Sequence, residues 1–559
     1  MGTLGGILFT GQQALLAHQT ALQVTGQNIA NANTPGYSRE RAELVSAPSS
    51  FTNILRSGVN VEEITRAYDR FITAQINVAS SNQQSTQTQA DLLGQVESLV
   101  NDLNTPATGI SGALNTLFND FNNLAQNPQG LTERNVLVQQ GETVADAFHQ
   151  LTDGLQGVRQ QSNGALGDAV TSVNSLTKQL ADLNAQIQQR EVDPHNHANT
   201  LHDQQDVLLK QLSEKVNITS FTTNSGQVTV LLGGGRPLVD GGQFFNLATE
   251  TDPDDPQRLL VKLQDAQGNG TDVTASIQSG SMHGLIEERD TIVPRLSASL
   301  NRLAAQLTTS VNQTHSAGYG LDGTTGIGFF AARQVTGQAL AANTGSGILQ
   351  NVSIFDPSQL TLDDYNLKFS RGGPPPTFDI VNATTGATVA AGQNYTSGTT
   401  FHFAGLAVTL ADTGTPPQPG DSFLISTTRD AAKNIAMNAA LLTNPRQVAA
   451  AQTPNPGDNT NALALAQLHN AKAIDGSTFE TSYQTLVARV GAESQQASQL
   501  ADQRHTALTD LENRRESLSG VSLDEEQVNL IRFQQAYNAA AQFIHIADQL
   551  GQTILAMIR

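Results

Sequence analysis

The sequence predicts an α+β multidomain protein: paired N- and C-terminal coiled-coil-like helices, a long helical bundle rod, and an inserted β-rich domain. Three observations predict it. Apolar residues recur at heptad spacing at both ends, three-four helical patterns fill long stretches on either side of the middle, and alternating runs punctuated by glycine and proline interrupt them. The expected boundaries are 1–34 with 520–559 for the terminal helices and 35–317 with 430–519 for the rod, which carries a β-rich segment at 217–279. The outward β-rich domain is expected at 318–429. At 559 residues the chain exceeds one core, so several structural units are expected.

In the first helix Leu8, Leu15, Leu22 and Ile29 recur every seven residues, with Ile7, Ala14, Ala21 and Val24 widening the stripe. The run Asn33, Thr34, Pro35, Gly36 and Tyr37 then stops it. Proline disfavours helical geometry at Thr34, and Pro35-Gly36 fits the centre of a type II turn. The first Asp, Glu, Lys or Arg of the whole chain is Arg39.

The last segment has the same character. Leu530, Phe533, Tyr537, Ala540, Ile544, Ala547, Ile554 and Ile558 follow steps of three and four, with Gly551 filling one gap. Gly520 is expected to close the preceding helix in a left-handed conformation. Ser522 with Glu525 reads as a capping box, and Asp524, Glu525 and Glu526 face the positive end of the helix dipole. After Arg532 only Asp548 is charged before Arg559. Two helices with so little charge form a marginal pair alone. Their outer faces, rich in Ala, Gln, Asn and Thr, are suited to meeting other protein. Leu8, Leu15, Leu22, Ile29, Leu530, Phe533, Tyr537, Ile544 and Ile554 are therefore the expected assembly interface, and residues 33–37 the turn that leaves it.

Between the ends, about Ile64–Val216 reads as helix. Leu92, Leu93, Val96, Leu99, Val100 and Leu103 form one face, and Leu176, Leu180, Leu183 and Ile187 another. Breaks fall at Asn104-Thr105-Pro106 and Asn127-Pro128. A second long helix is expected near Thr478–Leu518, its stripe being Tyr483, Leu486, Val490, Ala497, Leu500, Ala507, Leu511 and Leu518. Asn217–Ile277 carries strands such as QVTVLL and RLLVKL, turned at Gly233-Gly234-Gly235 and Gly268-Asn269-Gly270. A helix over about Leu285–Ala317 follows. Strands such as TFDIV, TFHFAGLAVTL and DSFLIS fill the stretch after it.

Hydrophobic residues make up 38% and charged residues 14%, and the net charge is −20. That acidity excludes a nucleic-acid or anionic-lipid surface as the working face. No apolar run is long enough to span a bilayer, and no Lys or Arg precedes Arg39 to start a conventional secretory signal. Without cysteine there is no thiolate chemistry. DPHNHANTLHDQQD is the one metal-like stretch, offering Asp193, His195, His197, His202, Asp203 and Asp206. Pro194 and the asparagines make its first part a turn, so the bland reading is a loop followed by an acidic helix start. The triple glycine lacks the Lys-Ser/Thr of a phosphate loop, and neither HExxH nor GxSxG occurs. No catalytic residue, metal or cofactor is expected.

NIANANTPGYSRERAEL resembles the N-terminal signature of the bacterial flagellar axial proteins, the rod, hook and hook-associated components, and its Tyr37-Ser38-Arg39 version is most similar to the hook-associated members. GVSLDEEQVNLIRFQQAYNAAAQFIHIADQL, at 520–550, resembles the family's closing helix. SGSMHGLIEERD, VNQTHSAGYGLDG and GDNTNALALAQL are similar to internal segments of hook-associated members. In LHDQQDVLLKQL the resemblance implies an Arg where Gln205 stands, which leaves one local ion pair open. The resemblance implies a tube whose inner layer is the terminal helices, surrounded by helical and then β domains. It further implies a structural subunit at the hook–filament junction, acting as a mechanical adaptor needed for filament assembly. Implied partners are other copies of the chain, the hook protein, the next hook-associated protein toward the filament, and an export chaperone on the C-terminal helix. Export through the flagellar type III pathway, without a cleaved signal, would place it outside the cell. The alternatives are a hook or rod protein of the same family, or a secreted adhesin or glycan-active protein using the β domain.

Overall fold

The structure, a computed structural model, describes residues 2–46, 58–102, 109–192, 197–223, 225–265, 267–373 and 375–558. Leu103 and the break at Asn104-Thr105-Pro106 lie outside the described residues.

The chain opens with helix α1 (Gly2–Asn31), followed by an antiparallel hairpin of β1 (Glu40–Ser46) and β2 (Val59–Arg66). Residues 35–66 were expected to belong to the helical rod. The strands instead lie against α1, since a Cβ on Gly58 would meet Gln13 at 3.1 Å. Then come α2 (Arg70–Asp102), α3 (Ile110–Gln126), the 60-residue α4 (Leu131–Arg190) and α5 (Asn199–Lys215).

Two small sheets follow. β3 (Ile218–Thr222), β4 (Val228–Leu232), β5 (Arg236–Asp240) and β6 (Gln243–Phe244) form one; β7 (Leu247–Thr251), β8 (Leu259–Gln264) and β9 (Gly270–Asp272) form the other. Their inward Val and Leu side chains join α4, α5 and the short α6 (Ser281–Glu287) in a core of their own. A five-residue π turn, Glu288–Ile292, leads from α6 into α7 (Val293–Ser316).

The larger β-rich domain is two packed sheets. β10 (Thr336–Ala339), β11 (Gly347–Ile354), β12 (Tyr365–Arg371), β13 (Thr377–Asn382), β14 (Thr388–Asn394), β15 (Thr399–Phe403), β16 (Leu406–Asp412) and β17 (Ser422–Ser426) order as 10-17-12-13-14 and 11-16-15. Phe369 sits among Phe378, Tyr395 and Phe423, giving this domain an aromatic core separate from the others. Three short helices, α8 (Ala431–Asn434), α9 (Ala439–Thr443) and α10 (Thr460–Gln467), return the chain to the rod. The long α11 (Phe479–Ser519) and α12 (Leu523–Ile558) complete it.

The rod core draws α2, α3 and α4 from the first half of the chain and α7, α10 and α11 from the second. α11 runs antiparallel to α2: Gly491 faces Glu97, and Arg504 Nη1 donates to the Asn82 carbonyl at 2.8 Å.

Two expectations need correction here. The strands were expected to begin at 318, yet Phe329 and Phe330 are fully buried in the rod core, and the Tyr319 N–H donates to the Ala451 carbonyl at 2.7 Å. These aromatics lie in loop, where no period announces burial; the domain itself starts at β10. The expected α11 stripe also drifts. After Ala497 the buried apolar side chains are Ala501 and Leu508, while Leu500 and Leu518 are 38% and 54% exposed. An α-helix turns 3.6 residues per cycle, so a strict three-four reading slides off the buried face along a helix this long.

Two buried ionisable groups make the fold's stability pH-dependent. His315 Nδ1–H donates to the Ile327 carbonyl at 2.7 Å and its Nε2 accepts from the Ala449 N–H at 2.9 Å, which fixes a neutral ring. Burial pushes it from 6.5 down to about 4. Between those values the unfolded chain binds the extra proton, so stability is lost as pH falls through that window. Glu288, in the π turn, is fully buried with neither carboxylate oxygen hydrogen-bonded, and burial followed by repulsion from Glu493 and Glu287 pushes it up to about 8. Here the folded state holds the proton, so stability falls as pH rises from the usual carboxyl range toward 8. Denaturant titrations across pH 4 to 9 test both signs. Glu288→Gln should lose most of the alkaline decline, a difference on the order of 5 kcal/mol above pH 8. His315→Gln should flatten the acid limb.

Candidate functional site

The two ends of the chain lie side by side. α1 and α12 are antiparallel: Gly11 faces Ile544, the His18 ring lies 6.4 Å from Phe533, and Asn28 meets Glu526. The seam is made by small residues. Ala17, Ala21 and Val24 of α1 are at most 4% exposed, as is Ala547 of α12, with Ala540 at 8%. At Gly11 a Cβ would sit 2.6 Å from Ile544 Cγ1, so glycine is what lets α12 approach this closely there.

The expected heptad is placed differently. Leu8, Leu15, Leu22 and Ile29 are all half-buried, flanking the seam rather than filling it. On α12, Leu530, Phe533, Tyr537 and Ile544 are likewise half-buried, and Ile554 is exposed. Side-chain burial is described for Ile554 but not for Ile558. The outer faces carry a further apolar set unmarked by the sequence analysis: Phe9 and Leu16 on α1, and Val528, Ile531, Phe543, Ile546, Leu550 and Met557 on α12. The signal is present in the sequence, since the last four of these step by three, four and seven. Choosing one stripe per helix hid it. An apolar face beside an uncharged seam is the mark of an interaction surface.

Below the pair lies a polar knot that the sequence analysis did not foresee. The turn forms as expected: the Tyr37 N–H donates to the Thr34 carbonyl at 3.1 Å, with Gly36 at φ +84°. A side chain at Gly36 would also strike Val207 of α5, its Cβ 2.3 Å from a methyl. The chain then returns beneath α1, where Asn28 uses its whole amide. Its Nδ2 donates to the Glu40 carbonyl at 2.9 Å and to Glu526 at 3.1 Å, and its Oδ1 accepts from the Glu40 N–H and the Tyr37 hydroxyl, both at 2.9 Å. Arg39 joins two of the three acids in the first turn of α12: Nε donates to Glu526 at 2.8 Å and Nη1 to Glu525 at 2.6 Å. Glu526 is 1% exposed. Burial, with the charges of Glu40, Asp203 and Glu526 behind it, holds the Tyr37 hydroxyl far above its ordinary range.

The knot reaches the rod through the backbone. The Arg39 N–H donates to the Ser519 carbonyl at 2.8 Å, Arg515 Nη2 donates to the Gly36 carbonyl at 3.2 Å, and the Ser38 N–H donates to Asp203 at 2.9 Å. Arg66 bridges Asp203 and Asp206 at 3.0 and 2.6 Å. The helix-start signals fare unevenly. The Ser522 hydroxyl accepts from the Glu525 N–H at 3.4 Å, but the Glu525 carboxylate goes to Arg39, so the box is half-made. Gly520 is extended, at φ −72° and ψ 158°, not left-handed. Its glycine is explained by crowding, because a Cβ would lie 2.3 Å from the Glu516 carbonyl oxygen.

The histidine-rich stretch resolves into separate pairs. His197 Nε2 lies 2.9 Å from Glu63, His202 Nε2 lies 2.8 Å from Glu191, and both aspartates serve Arg66. Among the described residues no group of three or more His, Cys, Asp or Glu gathers as a metal would require. Asp193 and His195 lie outside the described residues. Gln205, where an Arg was implied, donates to Asn184 at 2.9 Å instead. Arg66 supplies the ion pairs on this face.

Comparison with known proteins follows the same layout. Residues 93–330 match the flagellar hook-associated protein FlgK helical domain, residues 515–557 the flagellar basal body rod FlgEFG protein C-terminal family, and residues 8–37 the flagella basal body rod protein family. The chain is 28% identical over 565 residues to flagellar hook-associated protein 1 of Salmonella typhimurium, covering 99% of this chain and 100% of that one. It is 28% identical over 563 residues to the protein of the same name from Bacillus subtilis, covering 98% and 97%. The flagellar hook junction protein FlgK from Burkholderia pseudomallei shares the fold with a TM-score of 0.68 at 23% identity, covering 80% of this chain and 100% of that one.

The knot has a measurable signature. Removing the guanidinium leaves Glu526 buried and uncompensated, which typically costs about 3–5 kcal/mol. In the full-length protein, Arg39→Ala should speed amide exchange in α1 and α12 while leaving α4 unchanged. The double variant Arg39→Ala with Glu526→Gln should recover part of that protection. Equal exchange in all three proteins would remove the knot as the anchor.

Proposed function

We infer from its membership of the flagellar hook-associated protein 1 family that this chain is a structural subunit of the bacterial flagellum, seated at the hook–filament junction. It works as a mechanical adaptor on which filament assembly depends. The observation that carries the reading is the terminal pair: α1, with no Asp, Glu, Lys or Arg, against α12, which has only Arg532 and Asp548 beyond its first turn, with a small-residue seam and apolar side chains left on the outside.

In this reading the half-buried Leu8, Leu15, Leu22, Ile29, Leu530, Phe533, Tyr537 and Ile544 and the exposed Ile554 meet equivalent helices of neighbouring copies. Together they line the inner wall of a helical assembly, whose contacts run head to tail and do not close on themselves. A charge on that wall would be desolvated or repelled in every repeat, which accounts for its near absence. The units form successive layers: the terminal pair inside, the rod around it, and the β10–β17 domain facing outward. The hook protein lies on one side and the next hook-associated protein toward the filament on the other. Before assembly an export chaperone covers the apolar face of α12, and the chain leaves the cell by the flagellar export pathway without a cleaved signal.

Two kinds of variant test this. Deleting about 30 residues from either end should leave a folded monomer that cannot join the hook. Leu16→Glu and Ile546→Glu, both at exposed positions, should leave monomer stability within about 0.5 kcal/mol of the parent. Each burying of an unpaired charge should weaken every lattice contact by about 3 kcal/mol, roughly a hundredfold. A null strain carrying either variant should show hooks without filaments by electron microscopy. Normal filaments on those cells would refute the reading.

A further inference from the structure

Residues 336–426 have their own core and join the body through two linkers, 331–335 and 427–430. Arg333 staples the linkers: it donates to Thr309 Oγ1 at 2.7 Å and to the Thr427 carbonyl. A cleft of about 640 Å³ separates α7, at Thr308, Asn312 and Ser316, from the turn Asp356–Leu360 of the outward domain. Domain and body are therefore not packed flush on that side.

Among the described residues, the hydrogen bonds that tie 336–426 to the body other than through the linkers both end on Asp254. The Ala341 N–H donates to Asp254 Oδ1 at 2.6 Å, and Gln338 Nε2 donates to the Asp254 carbonyl at 2.6 Å. Arg429 Nη1 holds the other end of that amide, donating to Gln338 Oε1 at 2.9 Å.

Asp254 is the tip of the loop Asp252–Arg258, which joins β7 to β8, and the loop is braced far beyond what a connection of this length requires. Pro253 and Pro256 fix two of its φ angles. Within it, Asp252 pairs with Arg258 at 2.8 Å, the Asp252 N–H donates to the Arg258 carbonyl at 2.9 Å, and the Asp254 N–H donates to Asp252 Oδ1 at 2.9 Å. From α4, Arg159 donates to Asp255 and to Gln257 Oε1, and Asn163 Nδ2 donates to the Gln257 carbonyl at 2.7 Å. Arg289 of the π turn, fully buried, holds Asn163 Oδ1 at 3.0 Å and the Leu259 carbonyl at 2.8 Å.

We propose that the 252–258 loop is a strut, with Asp254 its bearing point, that fixes the angle of the outward β domain against the rod. Two adjacent linkers alone form a hinge with one free axis; a third attachment away from that axis removes the freedom. Arg159, Asn163 and Arg289 are positioning residues that transmit the rigidity of α4 to the tip. Hinge closure about a few linker residues is the motion such a brace suppresses.

The chain has no cysteine, so two labels can be placed without background. Spin labels at Gln160→Cys on α4 and Ala387→Cys on the outward domain, both at exposed positions, report the angle in the full-length monomer. The parent should give one narrow distance distribution. Asp254→Ala and, from the other side, Gln338→Ala should each broaden or shift it with unchanged circular dichroism and melting. Asp254→Asn, which keeps an acceptor at Oδ1, should restore the narrow peak. A distribution for Asp254→Ala that superposes on the parent's overturns the proposal, as does an Asn variant as broad as the Ala variant. The readout needs no flagellum, so it stands or falls apart from the assembly reading.

Discussion

The bond between Arg39 and Glu526 is the constraint on which the rest of this structure hangs. It joins the first charge of the chain to a buried acid nearly 500 positions later. Neither member is tolerable alone at that depth: an unpaired Glu526 would face desolvation without compensation. Asn28 then satisfies what the ion pair leaves over, using every hydrogen-bonding position of its amide on Glu40, Tyr37 and Glu526. Because Arg39 also takes the Ser519 carbonyl through its own N–H, one residue fixes the bases of α1, α11 and α12 together. The terminal helices can be apolar and thinly packed along their length because their register is set at the foot.

That division of labour separates specificity from adhesion. Along the α1–α12 seam the buried residues are mostly small, and small residues bury little area each. The larger side chains lie at the flanks and outside, where a lone molecule gains little from them. A buried leucine seam would have made the pair self-sufficient and left a polar exterior. The observed arrangement does the reverse, holding the hairpin by a polar knot and leaving large apolar side chains on the outside. In the rod the logic is conventional: Phe118, Phe121, Phe148, Phe329 and Phe330 are all buried to within 2% exposure, and the three cores share little.

Much of this was legible in the sequence, for physical reasons that also mark where reading stops. Long helices announce themselves by period, so α1, α4, α11 and α12 were found, and Pro35-Gly36 dictated its turn. What period cannot give is phase over many turns, and the α11 stripe drifted from Leu500 onward for that reason. Nor can it separate a seam from its flank: Leu8 through Ile29 repeat perfectly yet sit beside the contact, because glycine and alanine decide which face comes closest. The β1–β2 hairpin carries alternation in ERAELVS and VNVEEITR, but it followed a helix signal so strong that the segment was folded into the rod. Phe329 and Phe330 gave no pattern, being buried from a loop. For the knot a cue existed in plain view: Arg39 ends one neutral stretch and Glu525-Glu526 open another. Opposite charges that border two otherwise neutral ends are candidates for each other.

The chemistry of the chain divides between its packed units and the links that join them. Apolar cores resist small displacements because packed side chains have few alternative arrangements. Charge-assisted hydrogen bonds are directional as well as strong, and breaking one whose carboxylate is buried, as Glu526 is, leaves an uncompensated charge. In this chain the cores lie within units, whereas the links between units are polar: Arg39 with Glu525 and Glu526, Arg66 with Asp203 and Asp206, Arg515 on the Gly36 carbonyl, Asp254 under Ala341 and Gln338. A polar joint is directional, so it returns to one geometry after a displacement, and it needs no large interface to do so. Rigid bodies joined by directional bonds make a subunit that can be loaded from either side, and the strength of each joint is then set by a few identifiable side chains.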